Sequence, residues 1–554
     1  MADYATNCFG RTTHLWKPTK QNNGITSGQS TRPGQPAPPV TQNAWVADVS
    51  TQLPVGSPVY GLRVGGRRAI RARYPNADPE TASSFPPWLD NGYGGMRANN
   101  GWLPLKSGSW TPQPKGAPAI DLLSGPEDWP GVEWPAKPIG LNSPQTGSGN
   151  FGVFTMGTGG SVCGEGLPGT YSPPYGYYCS NHPPRGTQYQ HRPPVAVAAT
   201  TSSLPNMPYR NATGAVIQSW MPQHWYSNAY AVNGSRRVPN SGGSGGYGGR
   251  GFFDEGLLLQ RRADSERKGD ESTAEEELTT ATEFTFSSGG QQGSIGQGGL
   301  GGEWYIENLI EELDAPTEWY FDSETAKLYY VHNTSTVEPP SASLEFEAVT
   351  TKVLLNFSGT QSKPLTNVSV RGMTFRDTAY TYLDPHGSPS GGDWAIQRTG
   401  AVTIEGTVGA VLDSSLFTRL DGLGVFISGY NRNLTIQNST FAWIGASAMA
   451  SWGDTSFAMN GNGSRTIPWP RGPDARDGNQ PIGSRILNNI VTDIGIWQKQ
   501  SSMWFQATTA QTLVKGNVHF NGPRAGINVN DGMGGGDEIT ENLLANCVRE
   551  SGDQ

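Results

Sequence analysis

Two aspartates stand at similar distances from matching positions: Asp454 falls 13 residues after Phe441, and Asp531 falls 12 after His519. Phe441 and His519 each close a short segment of one recurring kind. If those segments stack, the two carboxylates share one face, two layers apart. Stacked strands are roughly 4.8 Å apart, which separates the pair by about 9–10 Å. That gap admits a water between the carboxylates, as inverting glycoside hydrolysis requires. Asp531 and a carboxylate of the last layer, Glu550 or Asp553, would be about 5 Å apart. At that spacing one carboxylate serves as nucleophile and the other as acid/base. The competing reading is local, because Asp531-Gly532 and Asp454-Thr455 are also turn-formers.

Arg524 and Arg549 each fall five residues past their segment ends, so they too should stack in adjacent layers. Two guanidinium groups beside carboxylates suit a uronate, a sulfate or another acidic sugar group. A structural Arg–Asp pair tying loops together is the alternative. Lys499, Gln500 and Gln506 lie in the intervening layer and would line the same groove. In a lyase one arginine would act near the abstracted proton, with calcium held by aspartates; otherwise no cofactor is expected. The stretch YLDPHGSPSGGDW (382–394) gathers Asp384, His386, Asp393 and Trp394 in one loop. Such a loop over a groove can deliver an acid or a base, or it is a turn cluster with a packing Trp. One His and two Asp make no recognisable ligand spacing, so no metal site is predicted. Trp443, Trp452 and Trp504 are either sugar-stacking platforms or packing residues.

These side chains need a scaffold, and the scaffold is a repeat. VRGMTF (370–375), LDSSLF (412–417), IQNSTF (436–441), ILNNIV (486–491), VKGNVH (514–519) and ITENLL (539–544) follow one pattern. Their last residues are spaced 42, 24, 50, 28 and 25 apart. Three spacings are one coil of a solenoid, and the two long ones are a coil plus an insertion. Alternation within each segment reads as strand, and Gly, Asn and Asp at the ends read as turn. One coil cannot bury its inward face alone, whereas stacked coils share a continuous apolar bore. The expected interior ladder is Phe375, Phe417, Phe441, Val491 and Leu544, with Asn438 and Asn488 forming a stacked amide ladder at a bend. The fold class that follows is mainly β, a right-handed parallel β-helix with an irregular, turn-rich N-terminal region. A β-sandwich with coincidental spacing is the alternative.

Composition agrees. The 554 residues include 74 Gly and 17 Trp but only 16% charged residues, which disfavours long helices. A net charge of −8 argues against a nucleic-acid partner. No run approaches the roughly 18 apolar residues of a membrane span, and MADYATNCFG does not read as a signal peptide. Eight Asn-x-Ser/Thr sequons lean weakly toward secretion. Cys163 and Cys179 are compatible with either a bridge or two thiols.

Along the chain, residues 1–44 read as a loose leader. Residues 45–240 read as an irregular capping or wrapping region with a hairpin at 55–75 around Gly65-Gly66. Residues 241–302 read as a Gly-rich and charged linker. The stretch 303–340 is a β-hairpin lead-in, with Asp322, Ser323 and Glu324 at its tip, and 341–554 is the β-helix.

LRVGGRRAIRARYP (62–75), EWYFDSETAKLYY and the coils from 365 onward resemble the pectin-lyase-like right-handed parallel β-helix superfamily. YLDPHGSPSGGDWAIQRTGAV, GPRAGINVNDGMGGGDEI and CVRESGD are most similar to its glycoside-hydrolase-like branch. The resemblance covers about half the chain. It implies a carbohydrate-active protein, either a glycoside hydrolase on a complex or acidic polysaccharide or a polysaccharide lyase. A non-catalytic extracellular protein that binds glycans or builds a surface layer is the remaining class. It also implies an extracellular or cell-surface location. Two departures stand out: the coils stop at Gln554 where the group continues, and the charged stretch 260–283 has no counterpart. Both suggest a fragment or an imperfect gene model, and the first suggests a β-helix truncated at its C-terminus.

Overall fold

A computed structural model describes residues 6–8, 16–18, 44–74, 153–156, 194–200, 209–220, 227–239, 280–289, 304–332, 339–341, 343–384, 386, 394, 396–453, 478–530 and 534–548. Apart from one three-residue 3-10 turn at Ile310–Glu312, the regular elements among them are strands. The chain is mainly β, with largely antiparallel sheets in its first part and parallel sheets in its second.

The hairpin at 61–68 forms as its sequence dictates. Gly61–Val64 pairs with Arg67–Arg68, and Gly65 and Gly66 take φ of 58° and 79°. Two successive positive φ values are what a two-residue hairpin turn needs. Glu318–Asp322 and Lys327–Val331 form the second hairpin, whose tip is held where Asp322 Oδ1 accepts the Glu324 amide at 3.0 Å. A seven-stranded sheet was not anticipated. It includes Val216–Trp220, Ser227–Pro239 and Thr280–Gly289. The last of these lies inside the stretch read as a linker. Its TATEFTF alternation is short and flanked by glycine-rich and charged runs, which hid the strand.

From Leu355 onward the chain visits three parallel sheets in fixed rotation. Sheet I takes Leu355–Ser358, then Gly400–Val408, Leu423–Arg432, Met449–Trp452, Ser502–Ala507 and Ala525–Val529. Sheet II takes Ser369–Arg371, Val411–Asp413, Thr435–Gln437, Arg485–Leu487, Leu513–Lys515 and Glu538–Thr540. Sheet III takes Thr374–Thr378, Leu416–Leu420, Thr440–Ile444, Ile490–Ile494, Val518–Phe520 and Leu543–Ala545. Each strand hydrogen-bonds to its counterpart in the next pass.

The register runs Phe375, Phe417, Phe441, Val491, His519, Leu544, which are the residues that set the sequence spacing. The three rings stack, 4.8 Å and then 4.3 Å between centroids, and Phe417 and Phe441 are fully buried. His519 joins this ladder, buried, with its ring Nδ1 3.0 Å from the Val491 carbonyl.

Each pass turns through residues of left-handed conformation, and these too stack. One column is Gly372, Ser414, Asn438, Asn488, Gly516 and Glu541, with φ between 52° and 70°. Asn tolerates this region better than most side chains. Asn438 and Asn488 are therefore exposed corner residues, not the amide ladder expected of them. The ladder is built one residue later. Asn489 Oδ1 accepts the Ser439 amide, Asn517 Oδ1 the Asn489 amide and Asn542 Oδ1 the Asn517 amide, each at 3.0 Å. The residue after the corner points inward, so only there can a side chain satisfy the next pass's buried N–H.

A buried charge network fastens the hairpin to the parallel sheets. Arg63 Nε donates to Asp377 Oδ1 at 2.6 Å and its Nη2 to Asp421 Oδ2 at 3.0 Å. Arg68 Nε donates to Asp421 Oδ1 at 2.7 Å. Arg419 bonds both oxygens of Asp377 from the other side, at 2.9 and 3.1 Å.

Candidate functional site

Sheet I is the face on which the insertions arise. The spacing of 42 contains the loop at 379–399, and the spacing of 50 contains residues 454–477. Asp454, Asp531, Glu550, Asp553, Arg549 and Asp393 lie outside the described residues. Their described neighbours give the local register. Trp452 pairs with Ala507, and Gln506 with Val529, so Trp452 and Asn530 are level, two passes apart. Asp454 follows Trp452 by two residues and Asp531 follows Asn530 by one.

The described candidates are largely buried. His386 is 3% exposed. Its Nδ1–H donates to the Asp384 carbonyl at 2.8 Å, and its Nε2 accepts from the amides of Gln397 and Gln498, the latter at 2.8 Å. Burial pushes the ring's pKa down to about 3, the bond to Asp384 opposing only in part, so His386 is neutral and held in one tautomer. Asp384 pairs with Lys352 at 2.6 Å.

Trp394 is buried and stacks on Phe505 at 5.8 Å, with the Arg524 guanidinium 5.1 Å from its ring centroid. Arg524 is itself buried and does not project freely to solvent. Lys499 is buried, and its amide donates to Ser227 Oγ of the antiparallel part at 3.1 Å. Gln500 beside it is half-buried. Trp504 is a correction to the substrate-binding reading. It is fully buried in the core inside the three sheets, its Nε1 donating to Gln506 Oε1 at 2.9 Å, and presents no face to a ligand. The sequence MWFQA hides this because Met503, Trp504 and Phe505 are all buried, so period-two alternation is lost. Trp394 and Arg524 thus meet beside Phe505 on the outer side of sheet I, while Trp504 lies on its other side.

A further group on that outer face escaped the sequence reading. Thr403 and Glu405 alternate with the core residues Val402 and Ile404, which turns Glu405 outward. Glu405 pairs in register with Ser428, which pairs with Trp452. Arg398 Nη1 donates to Ser428 Oγ at 3.0 Å and to the Trp452 carbonyl at 2.9 Å, and Nη2 to the Gly453 carbonyl at 2.6 Å. Its guanidinium lies 3.9 Å over the Trp452 ring. Burial raises the Glu405 carboxyl above the ordinary Glu value, and neighbouring Ser428 offsets only part of the rise. The available signal was one acid in an otherwise apolar strand, AVTIEGTV. Among the described residues no group of three His, Cys, Asp or Glu is arranged to hold a metal ion.

No family model matches this chain, and no curated protein matches it. A solved structure titled "Glycoside hydrolase" is similar in fold, with a TM-score of 0.50 and 12% identity, over 88% of this chain. The chain spans 62% of the length of that structure. A second, the catalytic unit of a thermostable GH87 alpha-1,3-glucanase from Streptomyces thermodiastaticus strain HF3-3, shares 9% identity at a TM-score of 0.15, over 63% of this chain and 74% of its own length.

Proposed function

We propose that the six passes wind as a right-handed parallel β-helix of the pectin-lyase-like kind. On this reading the chain is an extracellular or cell-surface glycoside hydrolase that cleaves a complex or acidic polysaccharide through paired carboxylates. The observation that carries the proposal is the pass-to-pass pairing of three parallel sheets, in a chain whose fold is similar to a structure titled "Glycoside hydrolase". Rigid stacked strands hold side chains to the tolerance that catalysis needs. Both insertions adjoin strands of sheet I in the chain, and we assign the cleft to its outer face. Asp531, next after Asn530, is the first carboxylate. Asp454, Glu550 or Asp553 supplies the second. One carboxyl protonates the leaving oxygen, and the other acts as base or nucleophile.

A lyase would use a free arginine as base. Arg524, buried against Trp394, does not suit that role, and Arg549 lies outside the described residues. No helix among the described residues is long and apolar enough to cross a membrane.

Incubation with polygalacturonate and with a neutral glucan separates the classes. New reducing ends without unsaturated uronate are expected. Unsaturated ends, particularly if calcium is required, would mean a lyase. Binding without cleavage would mean a glycan-binding structural protein.

A further inference from the structure

We infer that Asn367 and Asn433, two corner residues between sheets I and II, are acceptor sites for N-linked glycans. The inference rests on the extracellular part of the proposed reading and is independent of hydrolysis. Each asparagine opens an Asn-x-Ser/Thr triplet, Asn367-Val368-Ser369 and Asn433-Leu434-Thr435. A triplet becomes a usable site only where the side-chain amide nitrogen reaches solvent, because the glycan is bulky and must stay outside the fold. Eight such triplets stand in the sequence, so geometry has to select among them.

The corner does so. Where each pass leaves sheet I, one residue takes a left-handed conformation. Down the stack these are Asn367, Gly409, Asn433, Gly483, Gln511 and Gly536, with φ between 54° and 73°. Longer side chains alternate with glycine, and the contacts explain why. A Cβ at Gly483 would stand 2.6 Å from Asn433 Oδ1, and one at Gly409 would stand 3.5 Å from Asn367 Oδ1. The amide oxygen of each asparagine therefore rests over a glycine of the next pass, and Nδ2 is left on the solvent side. Both asparagines are exposed, and neither Nδ2 donates to a described residue. Two passes separate them, about 9–10 Å. Asn438 is the counter-example. It too is an exposed corner asparagine that heads a triplet, but its neighbour in the next pass is Asn488, not a glycine. Its Nδ2 donates to Asp413 Oδ1 at 3.0 Å.

In the modification, Nδ2 forms a bond to the anomeric carbon of the first sugar of an oligosaccharide carried on a lipid pyrophosphate. The bond from that carbon to the phosphate oxygen breaks, and its electron pair leaves with the lipid pyrophosphate. The proton lost from Nδ2 passes to solvent, and the product amide keeps one N–H. Ser369 and Thr435 open the sheet II strands Ser369–Arg371 and Thr435–Gln437. A sugar on the preceding corner therefore lies outside the hydrogen-bonded ladders of both sheets.

The test secretes the full chain from a eukaryotic host behind a supplied leader, then treats the native protein with peptide-N-glycosidase and maps its peptides. The enzyme converts each occupied asparagine to aspartate. Asn367 and Asn433 should be converted and Asn438 should not, and removal of the glycans should leave the thermal midpoint nearly unchanged. Asn367→Gln and Asn433→Gln should each lose one glycan, and the column already carries a glutamine at Gln511 with a φ of 54°. Ser369→Ala and Thr435→Ala should lose the same glycans with both asparagines in place. A secreted chain bare at both corners overturns the inference and leaves the extracellular reading standing. Conversion of Asn438 to the same extent also overturns it, because the corner would then select nothing. A chain retained in the cell and bare at every triplet takes the extracellular reading down with it.

Discussion

Asp377→Asn should lower the stability of the folded chain by about 3–5 kcal/mol, the usual cost of breaking one side of a buried charge network. Asp377 is fully buried and takes bonds from Arg63, Arg419 and Arg376. Burial alone would raise its pKa, but Arg63 and Arg419 outweigh that and hold the carboxyl well below the usual range. An amide cannot neutralise these guanidinium groups, and its NH₂ would face donors. Backbone strain does not enter, because Asp377 has a φ of 62°, a conformation that Asn adopts at least as well. The network is also the joint between Arg63 of the hairpin and the first passes of the parallel sheets. The antiparallel part should therefore loosen first. Calorimetry should show a lower and broader transition, with new protease cuts near residues 61–74. A transition shifted by less than about 1 kcal/mol would mean that the network is dispensable.

Acidification should destabilise the chain through His386 well before the carboxylates are protonated. The folded pKa of about 3 lies below the ordinary 6.5, so the unfolded chain binds the proton more readily. His386 therefore contributes stability that is fully present above about pH 6.5 and is lost as the pH falls toward 3. The loss is about 2 kcal/mol between pH 6.5 and 4.5, and about 4 kcal/mol by pH 3. The physical cost is specific. Protonated Nε2 would point a donor at the Gln397 and Gln498 amides and place a charge in a buried site. Denaturation midpoints measured against pH should fall with this slope in the wild-type chain. In His386→Gln the slope between pH 6.5 and 4.5 should flatten, even if the variant is less stable at neutral pH. Parallel slopes in the two proteins would contradict this account of the loop.

The framework was legible because the repeat has a measurable anchor. Phe375, Phe417, Phe441, Val491 and Leu544 predicted a register that the strands adopt, since an inward apolar position recurs whenever a pass closes. The amide ladder was misplaced by one residue. Asn438 and Asn488 fit a corner and a ladder equally well by composition, and only φ distinguishes the two roles. The clamp between Arg63 and Asp377 spans 314 residues, and no local pattern reports a contact of that separation. Glu405 is hard to read from sequence because it stands inside an apolar strand. A half-buried acid in the middle of a strand carries no turn signal. Trp504 was misjudged because a strand covered on both faces shows no alternation.

The most direct test of the central claim is turnover by Asp531→Asn, alongside the wild-type chain, on the polysaccharide that the wild type cleaves. The account predicts that release of reducing ends falls to background while the thermal midpoint and the circular dichroism spectrum stay nearly unchanged. Unaltered turnover in that variant would remove Asp531 from the mechanism. A collapse of the thermal midpoint would instead make Asp531 a turn-former that holds its loop.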